Sequence, residues 1–527
     1  MNDSASSARQ TRNLLPSLAD IVFLGVFLLL TLNADERLLG DADTGYHIRA
    51  GEFIVDNLSI PQTDIFSYLN PPLRWTLHEW LAEVIMALVH RAAGMTGLVI
   101  FFAFLIALTG YLIFTLLLKQ RSNILLVTVA TLLVILSSSS NWLARPHVIT
   151  FVFFVIWYHL LNSYQYRDRK YLIYLPPIML LWVNLHGGFI LGLILLGIYW
   201  VGNCVNYLFA PISERHEPLK KIRFLGLVTV ACAFATFFNP YGYDSLLFPF
   251  RVVQDQFLMD HIVEYLSPNF HLSSVVPFEI TLLATIGIFA ISGAKLDTIG
   301  LMLILLFGHM ALFSSRHMPL FAMIAGPIVL RHADLAFNQM EGRVFAAFRS
   351  RLDNLARIDQ YTTPYIWPLA SVLVAVALAK TGVISHDFNA KYVPVAATEF
   401  IKKEKIQGNM FNNDEFGDYI IYAAWPKYKV FIDGRTDMYG AVRVKEYIKV
   451  SLAQGGWESI LEKYNITWVF HDPNSVLSKL LLERQEWKLV YSDNVANIFL
   501  KTVPEHDEII NRYISTKPFT KESSYTN

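Results

Sequence analysis

Long apolar runs separated by short polar links dominate the first 382 residues of the chain. A helix needs roughly 20 apolar residues to cross a bilayer, and about 17 suffice. By that measure the pattern predicts eleven membrane-spanning helices, at 17–34, 97–118, 123–139, 147–163, 171–186, 188–209, 222–238, 277–293, 297–313, 318–331 and 363–381. Residues 1–382 are therefore predicted to form a polytopic, mostly α-helical membrane module.

The segment 78–94, HEWLAEVIMALVHRAAG, is apolar in part but is short and interrupted by charged side chains. Cytoplasmic loops carry an excess of Lys and Arg, so the basic links decide whether this segment crosses. If it does not cross, Arg9 and Arg12 share the cytoplasmic side with the basic links at 119–121, 167–170, 219–223, 295 and 331–358. We therefore predict a cytoplasmic N-terminus. We also predict a helix at 78–94 that lies at the outer interface or re-enters from it, anchored by Trp75 and Trp80.

This topology places the polar motifs of the membrane module together on the outer face. They are the 35–96 loop, NWLARPH (141–147), NLHGG (184–188), NPYGYD (239–244), EYLSPNF (264–270) and SSRHMP (314–319). Polar side chains at a membrane boundary usually line cavities or pair with one another. We therefore expect an aqueous cavity that opens outward and is walled by these loops.

Residues 383–527 differ in kind, because they mix polar and apolar positions and contain no apolar run long enough to span. NMFNNDEFGDYIIYAAW (409–425) predicts strand, turn and helix, and KYKVFIDGRTDMYG (427–440) predicts a strand followed by a loop. Two more strands are predicted at 467–472 and 497–501, with helices near 441–453, 457–464 and 474–485. The result is a small α/β domain on the extracytoplasmic side.

Composition agrees with a membrane protein and excludes several other classes. The chain is 54% hydrophobic and 16% charged, whereas an average soluble domain is about 25% charged. It has 43 basic and 43 acidic residues, so no excess of positive charge indicates a nucleic-acid partner. Cys204 and Cys232 both lie in apolar runs, which argues against a disulfide framework or a cysteine-based metal site.

The first outer loop opens with Asp41 and Asp43, one residue apart in the stretch LLGDADTGYHIRAGEF. In an extended loop the two carboxylates point the same way, whereas in a helix they diverge by roughly 200°. Three tasks suit such a pair: binding a divalent cation such as Mg²⁺ or Mn²⁺, deprotonating a nucleophile, or solvation at the interface. Spacing alone favours solvation, because D-x-D is short and common.

The chain resembles the glycosyltransferase C superfamily, polytopic enzymes that use lipid-phosphate-linked sugars on the outer face of a membrane. The resemblance lies in a first span, an outer loop that opens with the acidic motif GDADTGYHIRAGEFI, and a following helix WTLHEWLAEVIMAL. The chain is also similar to bacterial membrane proteins described as glycosyltransferases, through HIRAGEFI, IPQTDIFSY, ARPH, LWVNLHGGF, NPYG, SSRHMP and FIDGRTDMY. It departs from the O-mannosyltransferases at 77–79, where LHE stands in place of their His-Pro-Pro stretch.

The resemblance implies an inverting glycosyltransferase of the bacterial inner membrane. Its donor would be a polyprenyl-phosphate sugar, hexosyl or pentosyl, and its acceptor an extracytoplasmic glycan, lipid or protein. Asp41 matches the superfamily's acidic position nearest the first span and is assigned the catalytic base. Asp43 is its companion, as metal ligand or acceptor-orienting group, and the two roles are close to interchangeable. No cofactor beyond a divalent cation is implied.

Cationic side chains on the outer face are the candidates for binding the donor phosphate. Arg145, Arg316 and Arg49 are assigned to it, although an arginine at a membrane boundary is often only an interfacial anchor. Substrate contacts are assigned to the other polar residues of the outer loops: His47, Glu52, His78, Glu79, His147, Asn184, His186 and His317. For Asn184 and His186 a structural hydrogen-bonding role is an equal alternative. Zinc held by His147, His186 and His317 with Asp41 or Asp43 is a minor alternative that the spacing does not support.

In the tail, DGRTD (433–437) either contacts the acceptor and caps the cavity or forms a salt-bridged turn that holds the domain together. Two rival functions remain for the whole chain. A transporter or flippase of lipid-linked sugars is disfavoured, because the ionisable residues cluster at one face and no internal repeat is visible. A non-catalytic anchor that presents residues 383–527 to a partner leaves the polar outer motifs unexplained.

Overall fold

The structure is a computed structural model that describes residues 14–519, except 35–36, 121–122, 340–349 and the single positions 353, 355, 357, 358, 360, 361 and 364. Several basic residues used to predict the topology lie outside the described residues: Arg9, Arg12, Arg121, Arg343, Arg349 and Arg357.

Each of the eleven apolar runs contains a helix, which confirms the mostly helical fold. The helices of this module are α1 Leu18–Leu32, α2 Asp43–Asn57, α3 Trp80–Leu118, α4 Ile124–Ser138, α5 His147–Arg167, α6 Leu175–Leu185, α7 Ile190–Phe209, α8 His216–Ala235, α9 Tyr243–Gln254, α10 Gln256–His261, α11 Val276–Ser292, α12 Thr298–Phe313, α13 Met318–Gln339 and α14 Ile366–Lys380. By length and apolar composition, 5 helical segments of the described chain are able to cross a membrane: Trp80–Leu118, Ile124–Asn141, His147–Arg167, Gly187–Phe209 and Ser315–Gln339. The chain is a multi-pass membrane protein, and the count of eleven spans stays a prediction.

The face of α8 shows how the bundle meets lipid. Leu227, Val230 and Phe234 follow one another at helical spacing and are 69%, 70% and 63% exposed. The interior of the bundle packs large aromatic residues instead. Trp157 of α5 and Trp182 of α6 are fully buried, and their ring centroids are 5.7 Å apart. A helix whose apolar side chains face outward as well as inward needs an apolar solvent, which the hydrocarbon of a bilayer supplies.

Helix α3 is divided where the sequence places the end of the interfacial segment. Ala93 and Gly94 have non-helical backbone angles, and Gly94 has φ 61°, in the left-handed region that favours glycine. The part before Gly94 packs on α2, with Ala82, Glu83 and Met86 buried, and the part after it is the predicted second span. The break therefore separates the helix predicted at 78–94 from the span predicted at 97–118.

The tail forms a four-stranded sheet with helices. Its order is β1-β2-β4-β3, with β1 Asn409–Asn412, β2 Ile466–His471, β3 Trp487–Ser492 and β4 Asn497–Lys501; β1 and β2 are parallel, and the other two pairs are antiparallel. Its helices are α15 Val395–Glu404, α16 Asp414–Ala424, α17 Thr436–Ser451, α18 Trp457–Lys463, α19 Val476–Glu483 and α20 Asp507–Tyr513. The predicted small α/β domain is confirmed.

The strand predicted within 427–440 is wrong. This segment makes only an isolated bridge, between Ser67 and Val430, and does not join the sheet. Its apolar residues pair with the first outer loop, where the Val430 amide donates to the Phe66 carbonyl at 3.1 Å. A run that is buried against another segment reads as a strand in sequence even when no sheet edge receives it.

The tail and the first outer loop share one hydrophobic core. The ring of Phe66 meets Trp75 at 5.7 Å and Trp425 at 5.4 Å between centroids. Arg435 lies over Phe66 and Trp75 and binds Asp433 at 2.6 Å, with only 2% of its side chain exposed. The DGRTD turn is therefore salt-bridged, and Arg435 also binds Asp64 at 2.9 Å, which fastens the tail to the 35–96 loop. The boundary at residue 382 stays a prediction.

Candidate functional site

Asp41 and Asp43 lie on the turn that starts α2. Asp43 is the first residue of the helix, and its amide donates to Asp41 Oδ1 at 3.2 Å. The D-x-D motif is not extended, because Ala42 lies in the αR region, but this local bond forms a turn that keeps the two carboxyl groups close together. Their side chains are 30% and 20% exposed, so both remain partly accessible.

Arg145 is the shared partner of these carboxylates. It lies in the link between α4 and α5, and its guanidinium bonds Asp41 through Nε and Nη2. Nη2 also lies 2.9 Å from Asp43 Oδ2, and Nη1 lies 3.2 Å from Glu264 Oε1. Although burial opposes the charge, the three carboxylates hold the pKa of Arg145 above its usual range. One cation therefore faces three acids, and the cluster carries excess negative charge when all ionise.

Asp418 of the tail completes this acidic cluster. The Gly434 amide donates to both carboxylate oxygens of Asp418 at 3.1 Å. A Cβ placed on Gly434 would lie 2.7 Å from Asp43 Oδ1 and 3.1 Å from Asp418 Oδ2, so the two carboxyls meet over a residue that has no side chain. The tail thus reaches the carboxylate pair of the first loop directly.

The burial of Asp43 changes its protonation. Burial raises the pKa of Asp43 to about 7, with Arg145 opposing the rise and the charges of Asp41 and Glu264 adding to it. The pKa of Asp418 is raised well above its usual range, by burial first and then by Asp43 and Asp433. At neutral pH Asp418 is therefore protonated more often than Asp43, and Asp43 is near the midpoint of its titration.

A second polar cluster surrounds Glu79, at the start of α3. His186 Nε2 lies 3.2 Å and His78 Nε2 3.4 Å from Glu79 Oε1, and His47 Nδ1 lies 3.7 Å from Oε2. Although burial disfavours the ionised form, His78 and then His186 and His47 hold the pKa of Glu79 well below its usual range. Glu79 is therefore an anion fixed by three imidazoles, and the structure brings these four predicted residues together.

His186 lies in the link between α6 and α7, where neighbouring hydrogen-bonding groups orient its ring. The Gly188 amide donates to His186 Nδ1 at 2.9 Å, so the ring proton resides on Nε2 and points at Glu79. Thr150 Oγ1 is 2.7 Å from the same Nδ1 and accepts from Trp182 Nε1 at 3.0 Å. Burial lowers the pKa of His186 to about 3, which keeps the ring neutral in this arrangement.

The residues that offer a metal site are not the predicted ones. Among the described residues, His47, Glu79 and Glu83 form the group whose ligand atoms lie within 4.8 Å of one another, and all three are buried. Glu83 Oε2 is buried with no hydrogen-bond partner in the described chain, which fits a site with a free ligand position. Between Asp41 and Asp43, by contrast, Arg145 supplies the positive charge.

Arg316 differs from Arg145 in having no acidic partner. Its guanidinium lies 5.8 Å from the centroid of Tyr265, and Nη1 is 3.4 Å from the tyrosine oxygen. Within the described ranges no carboxylate lies within 4.0 Å of it. A cation that is not already neutralised is the better ligand for an incoming anion.

Arg49 has a structural partner instead. Nε donates to the Tyr422 carbonyl at 2.7 Å, and Nη1 contacts Glu52 at 2.6 Å, so this pair clamps α2 to α16. Asn184 also serves the packing, because its Oδ1 accepts from Trp80 Nε1 at 2.9 Å and its Nδ2 donates to the Phe238 carbonyl at 3.0 Å.

The remaining predicted histidines do not join either cluster. His147 Nε2 bonds the Asn141 carbonyl at 2.7 Å, and His317 Nδ1 is buried without a partner in the described chain.

The sequence analysis did not predict Glu264, Asp418 and Glu83 as site residues. Glu264 lies in EYLSPNF, a motif already placed on the outer face, so a search for a partner to Arg145 had a signal to follow. Asp418, by contrast, lies 375 residues beyond Asp43 with no local signal.

No protein-family model matches the chain, and no curated protein matches it. Among solved structures, ArnT from Cupriavidus metallidurans in the apo state is 12% identical, with a TM-score of 0.51, over 91% of this chain and 97% of that chain. ArnT from the same organism bound to undecaprenyl phosphate is 12% identical, with a TM-score of 0.47, over 92% of this chain and 98% of that chain. The chain therefore has the fold of ArnT, and the fold predicted from the resemblance to the glycosyltransferase C superfamily is confirmed.

Proposed function

We propose that the chain is an inverting glycosyltransferase that moves a sugar from a polyprenyl-phosphate donor to an extracytoplasmic acceptor. The observation that carries the proposal is the cluster of Asp41, Asp43 and Arg145 beside Arg316, which has no carboxylate partner in the described chain. It offers a base and a cation at one end of an apolar bundle, which are the two groups that this transfer needs. The ArnT-like fold supports the reaction class, while the sugar is left open between hexosyl and pentosyl.

The reaction forms one bond and breaks one. An acceptor hydroxyl oxygen attacks the anomeric carbon, and the bond from that carbon to the phosphate oxygen breaks as the polyprenyl phosphate leaves. The acceptor proton passes to a carboxylate, and the phosphate keeps the electron pair of the broken bond. A single direct displacement inverts the anomeric configuration. The chain thus has to supply a base on one side and positive charge on the other.

We assign the base to Asp43 and the orientation of Arg145 to Asp41. A carboxylate whose pKa is about 7 is a stronger base than an ordinary aspartate and is still ionised in about half of the molecules at neutral pH. Asp41 is bonded by two nitrogens of Arg145, so its electron pairs are already engaged. This assignment exchanges the roles that the resemblance gave the two residues, and the pair of variants below distinguishes them.

We assign the leaving phosphate first to Arg316, because no carboxylate in the described chain neutralises it. Arg145 assists when Asp43 takes up the acceptor proton, since the loss of one negative partner leaves its charge less compensated. Positive charge that strengthens as the phosphate develops its own charge stabilises the transition state more than the ground state.

The Glu79 cluster is proposed to hold the acceptor or the sugar hydroxyls. His78 is about one quarter exposed, and Glu79 is an anion that accepts from hydroxyl groups. If a divalent cation binds, His47, Glu79 and Glu83 are the residues that would hold it, where it would add positive charge near the donor. No step above depends on that ion.

The orientation follows the charge count of the links: the N-terminus lies in the cytoplasm, and the tail lies on the outer side of a bacterial inner membrane.

The two rival functions explain these contacts less well than a glycosyltransferase does. A presenting anchor would not need the tail to share a core with the first loop, as Phe66 and Trp425 do. A flippase would not need a base of raised pKa at one face.

The test uses the full chain in lipid nanodiscs with radiolabelled polyprenyl-phosphate sugars and an envelope extract as acceptor source. Release of polyprenyl phosphate and transfer of label are measured for Asp43→Asn, Asp41→Asn and the control Asp56→Asn. Asp56 lies on the same helix, exposed and paired with Arg91, so it controls for the loss of an acidic residue. Asp43→Asn is expected to abolish transfer and Asp56→Asn to leave it unchanged. Equal activity of all three variants would overturn the proposal.

A further inference from the structure

A cavity of about 380 Å³ lies at the end of the bundle remote from the Asp41–Arg145 cluster. Helix α5 has 21 residues, from His147 beside that cluster to Arg167, which lines the cavity. A helix of this length spans about 32 Å, close to the thickness of the hydrocarbon core. The cavity therefore belongs to the opposite membrane boundary, the predicted cytoplasmic one.

The lining combines apolar residues with exposed charged residues. Arg167, Lys295 and Arg331 are exposed, whereas Leu303 is buried at 1% exposure. These basic residues come from three separate elements: α5, the α11–α12 link and α13. Their convergence around one cavity is a property of the fold and not of a local basic run.

The acidic residues of the lining are already engaged. Asp297 accepts from the Gly300 amide at 3.2 Å as the cap of α12, and also from the Tyr166 hydroxyl. Asp334 accepts from the Asn123 amide and the Asn338 side chain, both at 3.1 Å.

The basic residues of the described lining form no ion pair with these carboxylates. In the described part of the chain neither Lys295 nor Arg331 has a carboxylate within 4.0 Å, since every ion pair there joins other residues. The lining thus carries three cations, Arg167, Lys295 and Arg331, against the two carboxylates of Asp297 and Asp334, which leaves a small net positive charge beside its apolar residues.

We propose that this cavity binds the phosphate headgroup of an anionic phospholipid from the adjoining leaflet. Basic pockets between membrane helices on the cytoplasmic side suit such headgroups, because the phosphate meets Lys and Arg while the attached chains stay in lipid. The apolar part of the lining accommodates the glycerol and the first methylenes, which a free phosphate lacks. The site is separate from the outer cluster and is independent of the proposed transfer reaction.

The experiment is native mass spectrometry of the full chain in mild detergent, titrated with phosphatidylglycerol or phosphatidylcholine. The double variant Lys295→Gln with Arg331→Gln removes the two cations that have no described acidic partner. The matched control, Lys170→Gln with Lys220→Gln, removes two exposed basic residues at the same predicted boundary that do not line the cavity. A basic residue near anionic lipid contributes about 1 kcal/mol, so the first pair is expected to weaken phosphatidylglycerol binding roughly 30-fold. The control pair should leave it unchanged.

Three outcomes would overturn the proposal. The first is equal weakening by both double variants, because the effect would then come from general surface charge. The second is binding of phosphatidylcholine as tight as that of phosphatidylglycerol. The third is displacement of the lipid by millimolar inorganic phosphate, which would show a site for a free anion. Thermal unfolding of each variant in the same detergent checks that the fold is retained.

Discussion

Replacing Asp41 by Asn removes a negative charge next to the proposed base while keeping the shape of the side chain. Asp41 and Asp43 contact the same Nη2 atom of Arg145, so their nearest oxygens are separated by about 5 Å at most. Two charges at that separation interact by about 3 kcal/mol at an effective dielectric constant of 20 and by under 1 kcal/mol in water. Since one pKa unit corresponds to about 1.4 kcal/mol, partly exposed carboxylates should show a shift of roughly one to two units.

The sign of the shift follows from the direction of the interaction. Asp41 is one of the groups that raise the pKa of Asp43, so its removal lowers that pKa. In the wild type, the rate should rise with pH through about 7, as Asp43 becomes ionised and able to accept a proton. In Asp41→Asn the same limb should move toward lower pH by roughly one to two units, with a modest loss of maximal rate because Arg145 is held less firmly.

The assay is the initial rate of polyprenyl-phosphate release in nanodiscs between about pH 5 and 9 at saturating donor. Asp56→Asn, on the same helix but paired with Arg91 at the surface, should keep the wild-type profile. Loss of activity at every pH in Asp41→Asn, with Asp43→Asn still active, would refute the assignment and give the base role to Asp41. An unchanged midpoint would refute the charge coupling itself.

Three further predictions concern the cations and the tail. Arg316→Gln should lower kcat/KM for the donor by about 10²–10³, with partial rescue in Arg316→Lys, in steady-state kinetics with varied donor. Asp418→Asn should keep the pH midpoint, whereas Asp418→Ala should raise it, because the bond from Asp418 lowers the pKa of Asp43. Arg435→Met should destabilise the tail by about 3–5 kcal/mol in thermal unfolding, since Asp433 and Asp64 then remain buried without their cation.

Each of these has an outcome that would contradict it. Full rescue of Arg316→Gln by raised donor concentration alone would show ground-state binding only. Equal midpoints in the two Asp418 variants would separate Asp418 from the base. An unchanged melting temperature in Arg435→Met would show that the buried pair is not what fastens the tail.

Apolar periodicity was sufficient to predict the helical module, because a bilayer imposes length and composition on every span. The positive-inside rule separated the segment 78–94 from the span at 97–118, and the helix does break between them, at Ala93 and Gly94. It also led to the outer motifs, and two residues from different motifs, Asp41 and Arg145, do form an ion pair. These features depend only on the local sequence and on which side of the membrane each link lies.

The missed features depend on contacts between distant segments. Asp418 meets Asp43 only because the tail folds back over the first loop, and no local pattern reports that contact. The wrong strand near Val430 has the same origin, since its apolar residues are buried by the first loop and not by a sheet. Strand β3, WKLVYS, was missed because its buried positions do not alternate. Pairing partners that are far apart in sequence leave no periodic signal.

The central claim is that this chain transfers a sugar from a lipid phosphate with Asp43 as the base. Its most direct test is single-turnover transfer from labelled polyprenyl-phosphate sugar by the full chain in proteoliposomes, comparing wild type with Asp43→Asn. The account predicts an inverted product in the wild type and a rate lower by about 10²–10⁴ in the variant. Movement of intact donor across the bilayer without product, or an equal rate in Asp43→Asn, would contradict it.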